Sequence, residues 1–170
     1  LERGFLIGVA ARIRGGGAGK LLALREDIDA LPILENTGLP FASQVRGMSH
    51  ACGHDIHTAA LLGCAKLLLQ HRKELRGDVL LVFQCGEETF DGAASMLEQG
   101  LFQSDCPGAV VGFHCEPSLP VGTVGVRVGI DNASCDSLRL EVEGRGGHGA
   151  HPEACVDPMV ISAGLIVQLQ

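Results

Sequence analysis

The chain has 170 residues with a formal net charge of −7, and 46% of them are hydrophobic and 19% charged. This is the composition of a folded globular chain, long enough for one core of ordinary size. Lys and Arg are scattered, and no apolar run reaches the roughly 18 to 20 residues of a membrane span. We therefore expect a small-molecule substrate, with no nucleic acid and no membrane among the partners.

The cysteine pattern indicates a reducing compartment. Seven cysteines make an odd number, contain no Cys-x-x-Cys pair and lie largely in apolar segments, which predicts free thiols and a cytoplasmic protein. The chain starts at Leu1 and stops inside the apolar helical pattern "DPMVISAGLIVQLQ". We expect it to be cut at both ends.

Three apolar runs follow one another: "KLLALRED", "GDVLLVFQCGEE" and "GAVVGFHCEP". Continuous runs of this kind are typical of strands buried on both faces of a parallel sheet. Between the first two, a helix is predicted that begins with Asp55 or Thr58 as its cap and ends at Gly77. Between the last two, "DGAASMLEQG" predicts a shorter helix ending at Gly100. The sequence therefore predicts an α/β fold, a mainly parallel sheet flanked by helices.

The pattern changes near the end of the chain. The segment "SLRLEVEG" alternates apolar and polar residues, as in a strand with one exposed face, and a Gly-rich turn and a long helix follow. We predict a larger α/β domain over residues 1–132 and the first strand and helix of a smaller α+β domain over 133–170.

Chemically capable side chains follow each predicted strand. Asp27 and Asp29 come after the first, Glu87 and Glu88 after the second, and His114 after the third. In open α/β sheets, ligands bind at the carboxyl ends of the strands. The stretch "SHACGHDIH" ends at a helix start and is able to converge on the same edge.

The residue types at this edge suit a metal. In an extended segment, Cys52 and His54 point to one side, and Glu88 and His114 complete a set of thiolate, imidazole and carboxylate donors typical of zinc. Glu87 is left free, next to a ligand, to accept a proton from a water whose pKa the metal lowers to about 7. This pattern predicts metal-dependent hydrolysis.

Other interpretations of these residues stay open. Cys52 lies at a helix start, an electropositive position that lowers a thiol pKa, so a reactive-cysteine site is an alternative. His57 is either a third ligand or a capping or orienting residue. Asp55 is either a helix N-cap or a carboxylate that orients a metal-bound imidazole.

Five segments, in order and across nearly the whole chain, resemble the metal-dependent aminoacylase and carboxypeptidase type of peptidase. The resemblance is strongest to its amidohydrolase branch, which contains hippurate hydrolases, N-acyl-amino-acid deacylases and auxin-conjugate hydrolases. The segments are "LREDIDALPILENTGLPFAS", "SHACGHDIHTAALLGCAKLL", "VLLVFQCGEETFDGAASMLEQG", "GFHCEPSLPVGTVGVRVG" and "GRGGHGAHPEACVDPM".

The resemblance implies a site with two divalent ions that hydrolyses the amide bond of N-acyl amino acids or related peptide-like substrates. It implies that Glu87 is the general base and that the ligands are Cys52, His54, Glu88 and His114. Zinc is the metal expected first because of the thiolate, and manganese, cobalt and nickel also use such ligands.

The resemblance also assigns residues around the metals. It implies that His148 belongs to a lid domain over 133–170, binds substrate and stabilises the oxyanion, and that the lid forms a homodimer. Asp29 matches an aspartate that lies near the metals without binding them. Asp27 stands where other branches have a metal-binding histidine, so we expect that it is not a ligand.

Members of the family continue further and supply one more histidine ligand. We therefore expect the isolated 170-residue chain to be inactive. The alternative hypothesis is a truncated, non-catalytic relative that acts as a metal-binding or thiol-reactive module.

Overall fold

The computed structural model describes residues 3–5 and 8–170. The chain divides into two compact units, Leu1–Thr123 and Val124–Gln170, so the division falls at 123/124 where the sequence predicts 132/133. In the described part of the chain, no helix is long and apolar enough to cross a membrane.

The first unit is a five-stranded mixed sheet with two helices. The elements are β1 (Arg3–Phe5), β2 (Gly8–Ile13), β3 (Gly19–Asp27), α1 (His54–Gln70), β4 (Gly77–Gln84), α2 (Gly92–Glu98) and β5 (Ala109–Val111). Strands β3, β4 and β5 run parallel, and β1 and β2 add an antiparallel hairpin beside β4. The strand order is β1-β2-β4-β3-β5. The α/β prediction is confirmed, while the antiparallel hairpin was not predicted.

The core lies on both faces of the sheet. Val79 and Leu81 of β4 pack with Leu61 of α1 in one apolar cluster, whereas Leu80 of β4 packs with Met96 of α2 in another. Successive side chains of a strand point to opposite faces. Because both faces of β4 are covered, its sequence reads as an unbroken apolar run.

The ends of α1 differ from the prediction. Its N-cap is Gly53, in the left-handed region at φ 84°, and neither Asp55 nor Thr58 caps it. The helix ends at Gln70, so Gly77 is not its stop but the first residue of β4. The end of α2 is as predicted, since Gly100 has φ 87° and donates its N–H to the carbonyl of Leu97.

The second unit contains a 3-10 turn, Pro152–Ala154, and helix α3, Pro158–Leu169. Asp157 caps α3 by accepting the N–H of Met159, and the predicted helix is confirmed. The strand predicted over 137–144 is not formed in the described structure. A strand needs a paired neighbour for its backbone groups, and the pairing that this unit provides is an isolated bridge between Arg145 and Val156.

Met96 offers a test of the second core cluster. The side chain is fully buried, so Met96→Ala is expected to lower the free energy of unfolding by about 2–5 kcal/mol through lost burial and a cavity. The matched control is Leu97→Ala on the same helix, where the side chain is 51% exposed and the expected change is within about 0.5 kcal/mol. Urea denaturation measures both. Equal losses in the two variants would contradict this packing.

Candidate metal centre

The predicted donors meet where β3, β4 and β5 end and α1 begins. Cys52 Sγ lies 3.4 Å from His114 Nε2. His54 Nε2 lies 3.8 Å from Glu87 Oε2 and 3.8 Å from Glu88 Oε1. Parallel strands bring their carboxyl ends to one edge, and the left-handed turn at Gly53 places Cys52, just before α1, and His54, the first residue of α1, at that edge.

Asp29 fixes the orientation of His54. Its Oδ1 lies 3.2 Å from His54 Nδ1, and because a carboxylate accepts, Nδ1 carries the proton and Nε2 keeps its lone pair. Oδ2 of Asp29 accepts the N–H of Glu88 at 3.1 Å. The orienting contact is therefore made by Asp29, whereas Asp55 is exposed and accepts the N–H of Ile56.

Two buried polar atoms face each other without a hydrogen bond. Within the described residues, His54 Nε2 and Glu88 Oε1 have no hydrogen-bond partner, although buried polar atoms are nearly always paired. A cation would satisfy both lone pairs at once. Among the described residues, His54 belongs to three groups of donors whose atoms lie within 4.8 Å of one another: one with Cys52 and His114, one with Glu87 and Glu88, and one with Asp27 and His57. The residues present thus fit divalent metal.

His57 and Asp27 are close to the donors but are already engaged. His57 is fully buried, its Nε2 accepts the N–H of Cys115 at 2.9 Å, and its Nδ1 lies 2.6 Å from Asp27 Oδ1. Oδ2 of Asp27 accepts from Arg25 Nη1 at 3.0 Å. His57 has no lone pair left for a metal, which disfavours the interpretation of His57 as a ligand. Burial raises the pKa of Asp27, but the His57 hydrogen bond and the Arg25 charge lower it below its ordinary value.

The thiol of Cys52 does not have the lowered pKa that a reactive cysteine requires. Burial raises the pKa of Cys52, and the negative charges of Glu88 and Glu87 raise it further. The prediction of an electropositive surrounding was wrong because these two carboxylates outweigh the helix start. This weakens the reactive-cysteine alternative.

Glu87 differs from Glu88 in exposure, since its side chain is 38% exposed and that of Glu88 is 25%. It borders a surface recess with Arg25, Gln84 and Phe90. A carboxylate that faces both this recess and the donors is able to exchange protons with a bound molecule and with solvent.

His148 lies in the second unit, on the exposed Gly-rich segment. Its Nδ1 accepts the N–H of Ala150 at 3.1 Å, and its ring centroid is 5.8 Å from that of His151. Its role toward a substrate stays a prediction.

Sequence reasoning missed one buried acid, Glu26. Its Oε1 accepts the N–H of Phe113 at 3.2 Å, and its Oε2 is buried without a hydrogen-bond partner in the described structure. Burial raises the pKa of Glu26 to about 7. The one available signal was a third acidic residue in "REDID", where Glu26 alternates with Asp27 across the strand.

The raised pKa of Glu26 predicts a loss of stability with rising pH. At pH values between the ordinary pKa of 4.5 and the raised pKa of about 7, Glu26 binds more protons in the folded state than in the unfolded state. The free energy of unfolding therefore falls as the pH rises across this window. We expect Glu26→Gln to remove about 1 kcal/mol of this decline between pH 5 and 8, after discounting for solvent screening.

Urea denaturation at several pH values measures this difference. Glu98→Gln, at an exposed position of α2, controls for the loss of one negative charge. A parent and a Glu26→Gln variant whose stabilities change in parallel from pH 5 to 8 would contradict the assignment.

A protein-family model, peptidase family M20/M25/M40, matches residues 23–164. The chain belongs to this family. It is 49% identical over 163 residues to N-acetyl-L-cysteine deacetylase of Bacillus subtilis, covering 96% of this chain and 39% of the relative. It is 44% identical over 156 residues to thermostable carboxypeptidase 1 of Saccharolobus solfataricus, covering 91% and 39%. The chain thus spans about two fifths of these M20 relatives.

Solved M20 structures agree with the fold. The Bacillus subtilis YXEP protein, named as a dinuclear metal binding peptidase of the M20 family, matches with a TM-score of 0.67 and 52% identity, over 71% of this chain and 33% of that one. A putative aminohydrolase from methicillin resistant Staphylococcus aureus matches with a TM-score of 0.75 and 36% identity, over 96% and 43%. Family membership and the α/β catalytic-domain fold are therefore confirmed.

Proposed function

We propose that the protein hydrolyses the amide bond of N-acyl amino acids with two divalent ions held by Cys52, His54, Glu88 and His114. The observation that carries this proposal is the buried, unpaired couple of His54 Nε2 and Glu88 Oε1, with Glu87 beside it. Relatives named N-acetyl-L-cysteine deacetylase and N-acetyldiaminopimelate deacetylase support N-acyl amino acids as the substrate class.

Each residue has a separate task in this proposal. Bound ions would polarise the amide carbonyl and lower the pKa of water. Glu87 takes a proton from the attacking water, whose oxygen bonds to the amide carbon, and passes this proton to the amide nitrogen, which leaves as the amine when the C–N bond breaks. Asp29 keeps the proton of His54 on Nδ1, so that Nε2 stays a donor toward the metal. His148 is proposed to bind substrate and to stabilise the negative charge on the carbonyl oxygen.

Three finer points belong to the same proposal. Zinc is the proposed metal, because a thiolate and imidazoles are its preferred ligands. A homodimer formed through the second unit is proposed from the family resemblance. A cytoplasmic location is proposed from the free cysteines.

The deciding experiment measures metal content and hydrolysis of the complete gene product. We expect N-acetylcysteine and related N-acyl amino acids to be hydrolysed, chelation to abolish the activity, and one of zinc, manganese, cobalt or nickel to restore it. We expect residues 1–170 alone to be inactive. A complete gene product that hydrolyses these amides despite full chelation would refute the proposal. A complete gene product that hydrolyses none of them with any of the four metals would also refute it and would favour the non-catalytic alternative.

A further inference from the structure

We propose that Asp27 and His57 act as a positioning pair that holds the loop carrying His114, rather than as ligands of a metal. This inference rests on the proposed role of His114 in the metal centre. The two residues come from neighbouring elements: Asp27 is the last residue of β3, and His57 lies one turn into α1. Both residues are buried, at 2% and 0% exposure.

The hydrogen bonds of the pair run in one direction. The backbone N–H of Cys115 donates to His57 Nε2 at 2.9 Å, so Nε2 is unprotonated and the proton of the neutral ring lies on Nδ1. Nδ1 then donates to Asp27 Oδ1 at 2.6 Å, and Arg25 holds the other oxygen of Asp27. A buried carboxylate thus orients a histidine that is hydrogen-bonded to one backbone N–H of the loop after β5.

The hydrogen bond from Cys115 to His57 lies next to His114, the metal donor that it would position. The N–H held by His57 belongs to Cys115, which directly follows His114. His114 Nδ1 donates to the carbonyl of Cys115 at 2.8 Å, and this leaves His114 Nε2 as the atom that faces Cys52 Sγ. The ring of His57 also packs edge-on against the rings of His114, at 4.6 Å, and Phe113, at 5.3 Å.

The loop itself has little burial to hold it. His114 is exposed and Phe113 is 46% exposed, whereas Asp27 and His57, which hold the loop, are buried. Two further hydrogen bonds anchor this segment: Glu26 accepts the N–H of Phe113, and the Cys115 thiol donates to the carbonyl of Cys52. A donor on an exposed loop keeps its geometry when second-layer hydrogen bonds lock it, and loss of such a bond typically weakens metal affinity 10- to 100-fold.

Two amide variants of His57 separate the Cys115 contact from the Asp27 contact. A glutamine places its amide near the position of Nε2 and is able to accept the Cys115 N–H, whereas an asparagine reaches near Nδ1 and retains the Asp27 contact alone. We expect His57→Gln to keep zinc affinity within about threefold of the parent and His57→Asn to lose 10- to 100-fold. Affinity is measured by chelator competition with zinc on the complete gene product.

Leu61→Ala is the matched control for general destabilisation of α1, because Leu61 is buried on the same helix and packs in the apolar cluster with Val79 and Leu81. It is expected to lower the melting temperature while leaving zinc affinity within twofold. Equal zinc affinities for His57→Gln and His57→Asn, retained or lost together, would overturn the positioning role, as would an equal loss in Leu61→Ala.

A readout without metal separates this inference from the proposed function. In the metal-free parent, NMR-detected hydrogen exchange should show the Cys115 amide protected, and His57→Asn should speed its exchange at least tenfold more than His57→Gln does. Fast exchange of this amide in the metal-free parent overturns the positioning pair, whatever the variants do. A protected amide in a protein that binds no zinc would instead refute the proposed metal centre, while the hydrogen bonds of Asp27 and His57 would still be supported.

Discussion

Glu87→Gln is expected to lower kcat for N-acyl amino acid hydrolysis by about 10²- to 10⁴-fold, the range typical of a lost general base. The amide has the size and shape of the carboxylate but cannot accept the proton. Because Glu87 is more exposed than Glu88 and is assigned no metal, we expect KM and metal content to change little. Steady-state kinetics and elemental analysis on the same preparations measure these quantities.

Glu88→Gln is the matched comparison for this prediction. Its buried Oε1 lacks a hydrogen-bond partner in the described structure, so the variant should lose metal as well as activity. The assignment of the base fails if Glu87→Gln retains more than a tenth of the parent kcat. It also fails if Glu87→Gln loses as much metal as Glu88→Gln, because Glu87 would then be a ligand.

Cys52→Ser is expected to reduce the metal content of the purified protein from about two ions per chain to one or fewer. The neutral hydroxyl of serine is a far weaker ligand for zinc than a thiolate. Binding of an ion would also offset the burial and the two glutamates that raise the pKa of this thiol. Elemental analysis after dialysis against a weak chelator gives the ion count.

Cys115→Ser provides a control with the same chemical change in the same region. The Cys115 thiol donates to the carbonyl of Cys52 at 3.5 Å, and we assign it no metal. The variant should keep the parent ion count. The thiolate assignment would be abandoned if Cys52→Ser kept both ions, or if the two serine variants lost metal equally.

The elements that carry the site were predictable, and the reason lies in burial. Strands β3 and β4 are covered on both faces, so their sequences are largely continuous apolar runs; acidic residues end β3 and follow β4. Because parallel strands end at a common edge, the convergence of Glu87, Glu88 and His114 followed from these runs. The antiparallel β2 could not be assigned in the same way, because "GVAARI" is short and mixes apolar and charged residues.

Contacts between distant side chains were harder to predict. Asp55 and Asp29 have similar candidate roles when only the sequence is considered, and the short distance from Asp29 Oδ1 to His54 Nδ1 identifies Asp29 as the orienting residue. The sequence does not decide whether His57 is a ligand or a capping or orienting residue, because all of these roles use the same side chain. The choice depends on the N–H of Cys115, which belongs to a loop 58 positions away in the sequence. The predicted cap of α1 was wrong for a local reason, since Gly53 caps the helix through its left-handed backbone without a side chain.

Asp29 has one more consequence for the way in which substitutions at this site combine. A single carboxylate binds the imidazole of His54 with one oxygen and the backbone of Glu88 with the other. It therefore works as a crosslink between the start of α1 and the segment after β4. Residues that share a partner seldom have independent effects. The free-energy changes of substitutions at positions 54 and 88 should not add, and replacing Asp29 should release both segments together.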